Sequence, residues 1–183
     1  MFQLSSDDLT LLCAHDSLPS LYAEYRAHAK LSDEFSLTSS DGQVCFLAVR
    51  RAQQWPFLVL AQRYSPTPAA GFFPGALLVP ESGLLFVGAG ERLLCYDLNA
   101  VKRLWEDTAD TGFWCWSRHH DTILMSAELE LAAWDLHGRK LWTTFVEPPW
   151  QFEIREQVVH LDVMGTLSSF EIHHGPSPID RNA

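Results

Sequence analysis

The chain has 183 residues, enough for one domain with a sizeable core, and its 47% hydrophobic and 20% charged residues are ordinary for a soluble, well-packed protein. Thirteen Lys and Arg against 23 Asp and Glu give a net charge of −10, which repels a phosphate backbone, excludes nucleic acid as the expected partner and favours a basic protein. No run reaches the ~18 apolar residues that span a membrane, and Met1-Phe2-Gln3-Leu4-Ser5-Ser6-Asp7-Asp8 has no cationic region and no apolar stretch of signal-peptide length, so the expected location is cytoplasmic, without membrane association.

Residues 1–33 read as an N-terminal helical segment. Leu18, Leu21, Tyr25 and Ala29 recur at helical spacing between Asp16 and Lys30, with Ser17 placed to cap the first turn and Pro19 tolerated inside it. The period then changes. Glu34 to Thr38 and Val44 to Val49 read as the two strands of a hairpin turned at Ser39-Ser40-Asp41-Gly42, and Phe57-Leu58-Val59-Leu60-Ala61 adds a further strand to this 34–71 region.

From residue 72 the chain repeats itself. Tyr96-Asp97-Leu98 followed by Leu104-Trp105 returns as Trp134-Asp135-Leu136 followed by Leu141-Trp142, and a third copy is worn to Phe170-Glu171-Ile172. The steps are 38 and 36 residues, and Leu85, Ile123 and Val159 upstream keep the same phase. Each unit reads as an entering strand (Ala76 to Val79, Phe113 to Arg118, Trp150 to Ile154), an apolar strand (Leu84 to Val87, Thr122 to Ala127, Val158 to Val163), a strand ending in the triplet, and a last strand carrying Leu-Trp. These motifs resemble the blade repeats of β-propellers of the quinoprotein-like and WD-like kind. The resemblance, over residues 72–175, implies four-stranded antiparallel blades in which the acidic residue ends a strand and the Trp locks neighbouring blades. Propellers take four or more blades and three are legible here. The expected fold is therefore mainly β, with about three blade-like antiparallel sheets in a partial or open propeller-like stack and a short N-terminal helix. Residues 1–175 form one expected domain and 176–183 a loose tail.

The chemistry-bearing residues are sparse. Val87-Gly88-Ala89-Gly90 precedes a strand, so it reads as a hairpin turn with no helix N-terminus to hold a pyrophosphate. His119-His120-Asp121 and His173-His174 fall where turns are expected. His160 and Asp162 share one strand face but lack further convergent ligands, so no metal site is expected. Cys13, Cys45, Cys95 and Cys115 have no metal spacing and read as reduced thiols, Cys95 and Cys115 buried in apolar runs. Glu128 and Glu130 alternate with Leu129 and Leu131 as the solvated face of a half-buried strand, and Glu147-Pro148-Pro149-Trp150 reads as an extended link with Trp150 in the core.

No catalytic residue and no cofactor follows from this inventory. What stands out is an aromatic corner ringed by acids: Trp114, Trp116 and Trp150 with Glu128, Glu130 and Glu147. A small, acidic, cofactor-free chain on a rigid β scaffold is similar in build to bacterial toxin-immunity proteins. That likeness implies a non-catalytic partner of a basic toxin, blocking an active site with carboxylates that mimic phosphate. The alternatives are a propeller-like hydrolase or small-ligand binder using His160, Asp162 and the glutamate pair, or a scaffold fragment that acts by oligomerising.

Overall fold

The computed structural model describes residues 2–6 and 8–177, with no side-chain description at Phe2 and Pro68; most of the tail expected at 176–183 lies outside the described residues. The first five strands and the helix are β1 (Phe2–Ser6), β2 (Leu9–His15), α1 (Tyr22–His28), β3 (Leu31–Phe35), β4 (Gln43–Arg51) and β5 (Leu58–Tyr64). They build a sheet in the order β1-β2-β4-β5-β3, here sheet 1.

This region departs from the sequence reading in three ways. Strands β1 and β2 occupy a segment expected to lead into a helix. The run Leu9 to Ala14 is buried at all six positions, so it carries no alternation, and an apolar run covered on both faces cannot be told from a helix by period. The helix itself is only seven residues long. It begins after Leu21 without a side-chain cap, and the residues facing the sheet are Leu18, Tyr22, Tyr25 and Ala29, with Leu21 turned to solvent. Finally, β3 does not pair with β4 across Asp41-Gly42 but runs parallel to β5, from Leu31 opposite Leu58 to Phe35 opposite Gln62. Strands β4 and β5 are apolar on both faces and take the middle, while half-polar β3 tolerates an edge.

The repeat becomes three sheets. Sheet 2 holds β6 (Gly75–Val79), β7 (Leu84–Ala89), β8 (Arg92–Asp97) and β9 (Lys102–Thr108). Sheet 3 holds β10 (Phe113–His119), β11 (Thr122–Ala127), β12 (Glu130–Asp135) and β13 (Lys140–Phe145), and sheet 4 holds β14 (Trp150–Arg155), β15 (Val158–Val163) and β16 (Thr166–Glu171). The register repeats with the sequence: β8 and β9 slip between Cys95 and Tyr96, and β12 and β13 slip at the equivalent Ala133 and Trp134. The triplet aspartate has a defined task. Asp97 Oδ1 accepts the N–H groups of Asn99 and Ala100, and Asp135 Oδ1 those of His137 and Arg139, all at 2.9 Å, which closes each turn as an Asx motif. Both glycines of Gly88-Ala89-Gly90 are packing requirements. A Cβ on Gly88 would meet the Phe113 ring at 2.5 Å, and one on Gly90, at φ +59, would meet the Ser65 carbonyl oxygen at 2.3 Å.

The sheets stack in chain order because successive side chains on each strand face opposite neighbours. Leu85, Val87, Leu94 and Tyr96 pack on Leu11, Leu47, Val49 and Leu60 of sheet 1. Leu84, Phe86, Leu93 and Cys95 of the same two strands pack on Phe113, Ile123, Met125 and Trp134 of sheet 3. Leu124, Leu131, Ala133 and Trp142 then cover Val159, Leu161 and Ile172 of sheet 4. The far face of sheet 1 lies under α1, where Tyr25 stacks on Phe46 with centroids 6.1 Å apart. Four sheets therefore form the stack where three were legible, and among the described residues no core cluster joins sheet 1 to sheet 4. No described helix is long and apolar enough to cross a membrane.

Candidate partner-binding site

The indoles of the last strands form the recurring lock between sheets. Trp105 on β9 donates its Nε1 hydrogen to the carbonyl of Gly138 in sheet 3, and Trp142 on β13 does the same to the carbonyl of Ile172 after β16, both at 2.6 Å. Gly138 and Gly175 lie against these rings, Gly175 so closely that a Cβ would come within 2.4 Å of Trp142 Cγ. Between sheets 1 and 2 a different set does this work. Asp33 on β3 accepts from Tyr96 Oη at 3.0 Å and pairs with Arg103 at 3.2 Å, while the Arg92 guanidinium sits 4.4 Å from the Phe35 ring centroid. Burial, reinforced by the Asp33 charge, pushes the Tyr96 hydroxyl far above its ordinary pKa.

The six residues expected at the aromatic corner separate into two groups. Strand β10 carries a bulge: Phe113 opposes Ala127 and Cys115 opposes Ser126, leaving Trp114 as the extra residue. A bulge re-aims side chains, so Trp114 and Trp116 face different sheets. Trp116 joins the core between sheets 2 and 3, with centroids 5.3 Å from Phe86, 5.5 Å from Phe113 and 5.4 Å from Trp134. Trp114 instead stacks on Trp150 of sheet 4 at 5.2 Å and an interplanar angle of 11°, and Trp150 in turn lies 6.3 Å from Phe152. Trp150 donates its Nε1 hydrogen to the carbonyl of Glu128 at 3.1 Å. The result is a row of three half-buried rings along the junction of sheets 3 and 4.

The carboxylates divide as well. Glu128 lies in the turn before β12, not on a strand, and neither its carboxylate nor that of exposed Glu147 meets a partner among the described residues. Glu130 is not solvated as expected. It is 8% exposed, accepts from the Asp110 N–H at 3.1 Å and from Thr143 Oγ1 at 2.6 Å, and lies 3.5 Å from Lys140 Nζ. Lys140 reaches on to Asp107 of sheet 2 at 2.9 Å and lies 5.0 Å from the Trp134 ring centroid. Glu130 is thus a structural carboxylate tying β13 to the loop before β10.

The remaining candidates also fall into structural roles. His119 Nε2 meets the Glu156 carbonyl at 2.8 Å and His173 lies 3.4 Å from Asp121, so both stitch turns of adjacent sheets together. His160 and Asp162 do share the outer face of sheet 4, but His160 bonds Ser169 at 2.9 Å and Asp162 caps Gly165 at 2.9 Å. Among the described residues no three His, Cys, Asp or Glu side chains converge. Cys95 is buried as expected, whereas Cys115 is exposed because β10 is an edge strand. Burial pushes the Cys13 thiol up to about 11 and the Cys45 and Cys95 thiols up to about 12.

One feature escaped the sequence reading. An open cleft of about 750 Å³ lies between β13 and β16, walled by Phe145, Leu161, Val163, Met164 and Phe170. The signal for it was present: no Leu-Trp pair stands after Phe170-Glu171-Ile172 at the phase of the two earlier units.

Stacked sheets of three to five strands, with a Trp lock at fixed phase, define a propeller-like, mainly β repeat protein. No family model and no curated protein matches the chain. Among solved structures it is similar to BamB from Moraxella catarrhalis over 80% of this chain and 48% of that one, at 11% identity and a TM-score of 0.44. It is similar to Hsv2 of Kluyveromyces lactis over 53% of this chain and 32% of that one, at 13% identity and a TM-score of 0.30. For the glutaminyl cyclase of Myxococcus xanthus the shares are 80% and 68%, the identity 12% and the TM-score 0.33. The chain spans less than half the length of the BamB and Hsv2 proteins. The propeller-like assignment rests on this chain's own sheets and locks.

Proposed function

We propose that this chain is a non-catalytic protein-binding module whose partner is a basic protein, most concretely a bacterial toxin that it neutralises in the cytoplasm. The observation carrying this reading is the row Trp114, Trp150 and Phe152 at the junction of sheets 3 and 4, flanked by the carboxylates of Glu128 and Glu147, which meet no partner among the described residues. Half-buried aromatics on rigid strands supply contact area at little entropic cost, and surrounding acids select a cationic surface and steer its approach. The net charge of −10 acts in the same direction at longer range.

The test is co-expression with a toxin encoded beside this gene, followed by purification of the pair. Protection from growth arrest and a stable complex with toxin activity blocked are the expected results. Trp114→Ala should weaken the complex about 30-fold or more, the size of a hot-spot residue, measured well below its melting temperature because loss of a half-buried ring stacked on Trp150 also lowers stability. No protection and no complex removes the toxin reading. A complex indifferent to Trp114→Ala and Glu147→Lys moves the contact to another face.

A further inference from the structure

The open edge of β16 differs from every other repeat edge. Sheets 2 and 3 each finish with a fourth strand, β9 on β8 and β13 on β12, whereas among the described residues sheet 4 ends at β16. The residues of β16 are Thr-Leu-Ser-Ser-Phe-Glu, with no Lys, no Pro and an unbroken register against β15 over all six pairs. Such features are what protected edges avoid, and β9 by contrast carries Lys102, Arg103, Glu106 and Asp107. Ile172 N donates to Gln157 O at 2.9 Å. By the alternation of an antiparallel ladder, the backbone groups of Thr166, Ser168 and Phe170 face β15 while those of Leu167 and Ser169 and the N–H of Glu171 face outward; the Glu171 carbonyl accepts from the N–H groups of His174 at 3.1 Å and Gly175 at 2.9 Å and closes the turn. Leu167 is 78% exposed, and Phe145 and Met164 on the adjoining cleft are 62% and 60% exposed.

The two fourth strands that are present show what chemistry this edge is built to receive. Two basic residues and then Leu-Trp mark the entry to each: Lys102-Arg103-Leu104-Trp105 opens β9, and Arg139, just before β13, precedes Lys140-Leu141-Trp142. Their basic residues stand beside the triplet acid, Lys102 directly opposite Asp97 and Arg139 3.1 Å from Asp135. Glu171 holds the equivalent position in sheet 4, exposed, and its carboxylate meets no partner among the described residues. Beside it lies the cleft of about 750 Å³ where a fourth strand would pack on β13.

We propose that the edge of β16 is a strand-acceptor site. It takes an extended segment of another protein as the antiparallel fourth strand of sheet 4, with Lys or Arg beside Glu171 and apolar side chains at alternate positions in the cleft. Backbone pairing with Leu167, Ser169 and the Glu171 N–H supplies affinity, and the cleft and the carboxylate supply selectivity. This site lies apart from the aromatic row and does not depend on the toxin reading, because its probe is a peptide.

The probe is a fluorescein-labelled, terminally blocked peptide with the sequence of residues 139–146, Arg-Lys-Leu-Trp-Thr-Thr-Phe-Val, titrated by anisotropy into the full chain. Saturable binding is expected. Ser169→Pro, which removes an outward N–H without touching the β15 ladder, should weaken it at least about tenfold, as should Glu171→Lys, while Ser169→Ala changes it less than about twofold. Hydrogen exchange should show peptide-induced protection at Leu167, Ser169 and Glu171 and no change at Ser168 and Phe170. If Ser169→Pro does not fold, a peptide N-methylated at alternate residues replaces it and should fail to bind. Absent binding, or binding unaffected by both blocks, overturns the proposal. So do two results on the free protein: a dimer dispersed by Ser169→Pro, which assigns the edge to a second copy, and prior protection of those three amides in a monomer, which assigns it to the chain's own residues.

Discussion

Replacing Trp142 by Ala should be among the most damaging single changes in this chain. The ring is 8% exposed, meets Phe170 edge-on with centroids 5.3 Å apart, presses on Gly175 and donates to Ile172 O at 2.6 Å. Truncating a buried Trp costs about 3–5 kcal/mol through lost burial and the cavity left behind, and leaving the Ile172 carbonyl without its donor adds about 1 kcal/mol. Trp142→Phe retains most of the apolar area and loses the donor, so it should cost about 1–2 kcal/mol. Trp105→Ala removes a ring that is half-buried with the same bond to Gly138, so its cost should be smaller, about 2–3 kcal/mol. Urea denaturation gives all three values, provided the slope is unchanged between variants. A cost for Trp142→Ala below about 1 kcal/mol, the level of an ordinary surface change, would refute the lock as a source of cohesion between sheets 3 and 4. So would a cost for Trp105→Ala that exceeds it.

Glu130→Ala should destabilise by about 3 kcal/mol, because Lys140, Thr143 and the Asp110 N–H lose a shared acceptor, and double-mutant analysis with Lys140→Met should show that the two costs do not add. Stability should fall as pH rises from about 9 to about 12: buried Cys13, Cys45 and Cys95 and the Tyr64 hydroxyl, pushed up to about 12, keep their protons in the fold while the unfolded chain releases them. Below the unfolded pKa that contribution is fully present, so a melting temperature that rises over this window would contradict the burial. Iodoacetamide under native conditions should label Cys115 at least about tenfold faster than any other thiol, since it alone among the four is exposed; mass spectrometry of the labelled peptides reads this directly.

The repeat, its phase and the strands of sheets 2 to 4 were legible because a half-buried hairpin unit writes its turns, its triplet and its Trp at regular intervals. Asp97 and Asp135 show why the triplet is acidic, and Trp105 and Trp142 why each full unit ends in Trp: one closes a local turn, the other locks to the next sheet, and both act at fixed distances along the chain. Sheet 1 was legible only in its middle, where the apolar runs of β4 and β5 stand between turn signals. Leu9 to Ala14, buried on both faces, carried no period to read, and the parallel pairing of β3 with β5 depends on which strands compete for the middle of a sheet. The candidate site was half visible. Composition and position brought Trp114, Trp150, Glu128 and Glu147 to one corner, but the single extra residue at Trp114 decides that Trp116 faces the other sheet, and a bulge leaves no mark in a pattern of aromatics. Glu130 was misplaced for a similar reason: its burial depends on Lys140 arriving from β13 and Asp110 from the loop before β10. What recurs along the chain was determined by sequence alone. What depends on a partner brought from elsewhere, whether a strand, a cation or an edge left open at β16, was decided only when the sheets were stacked, because those energies belong to pairs of distant residues and to neither member by itself.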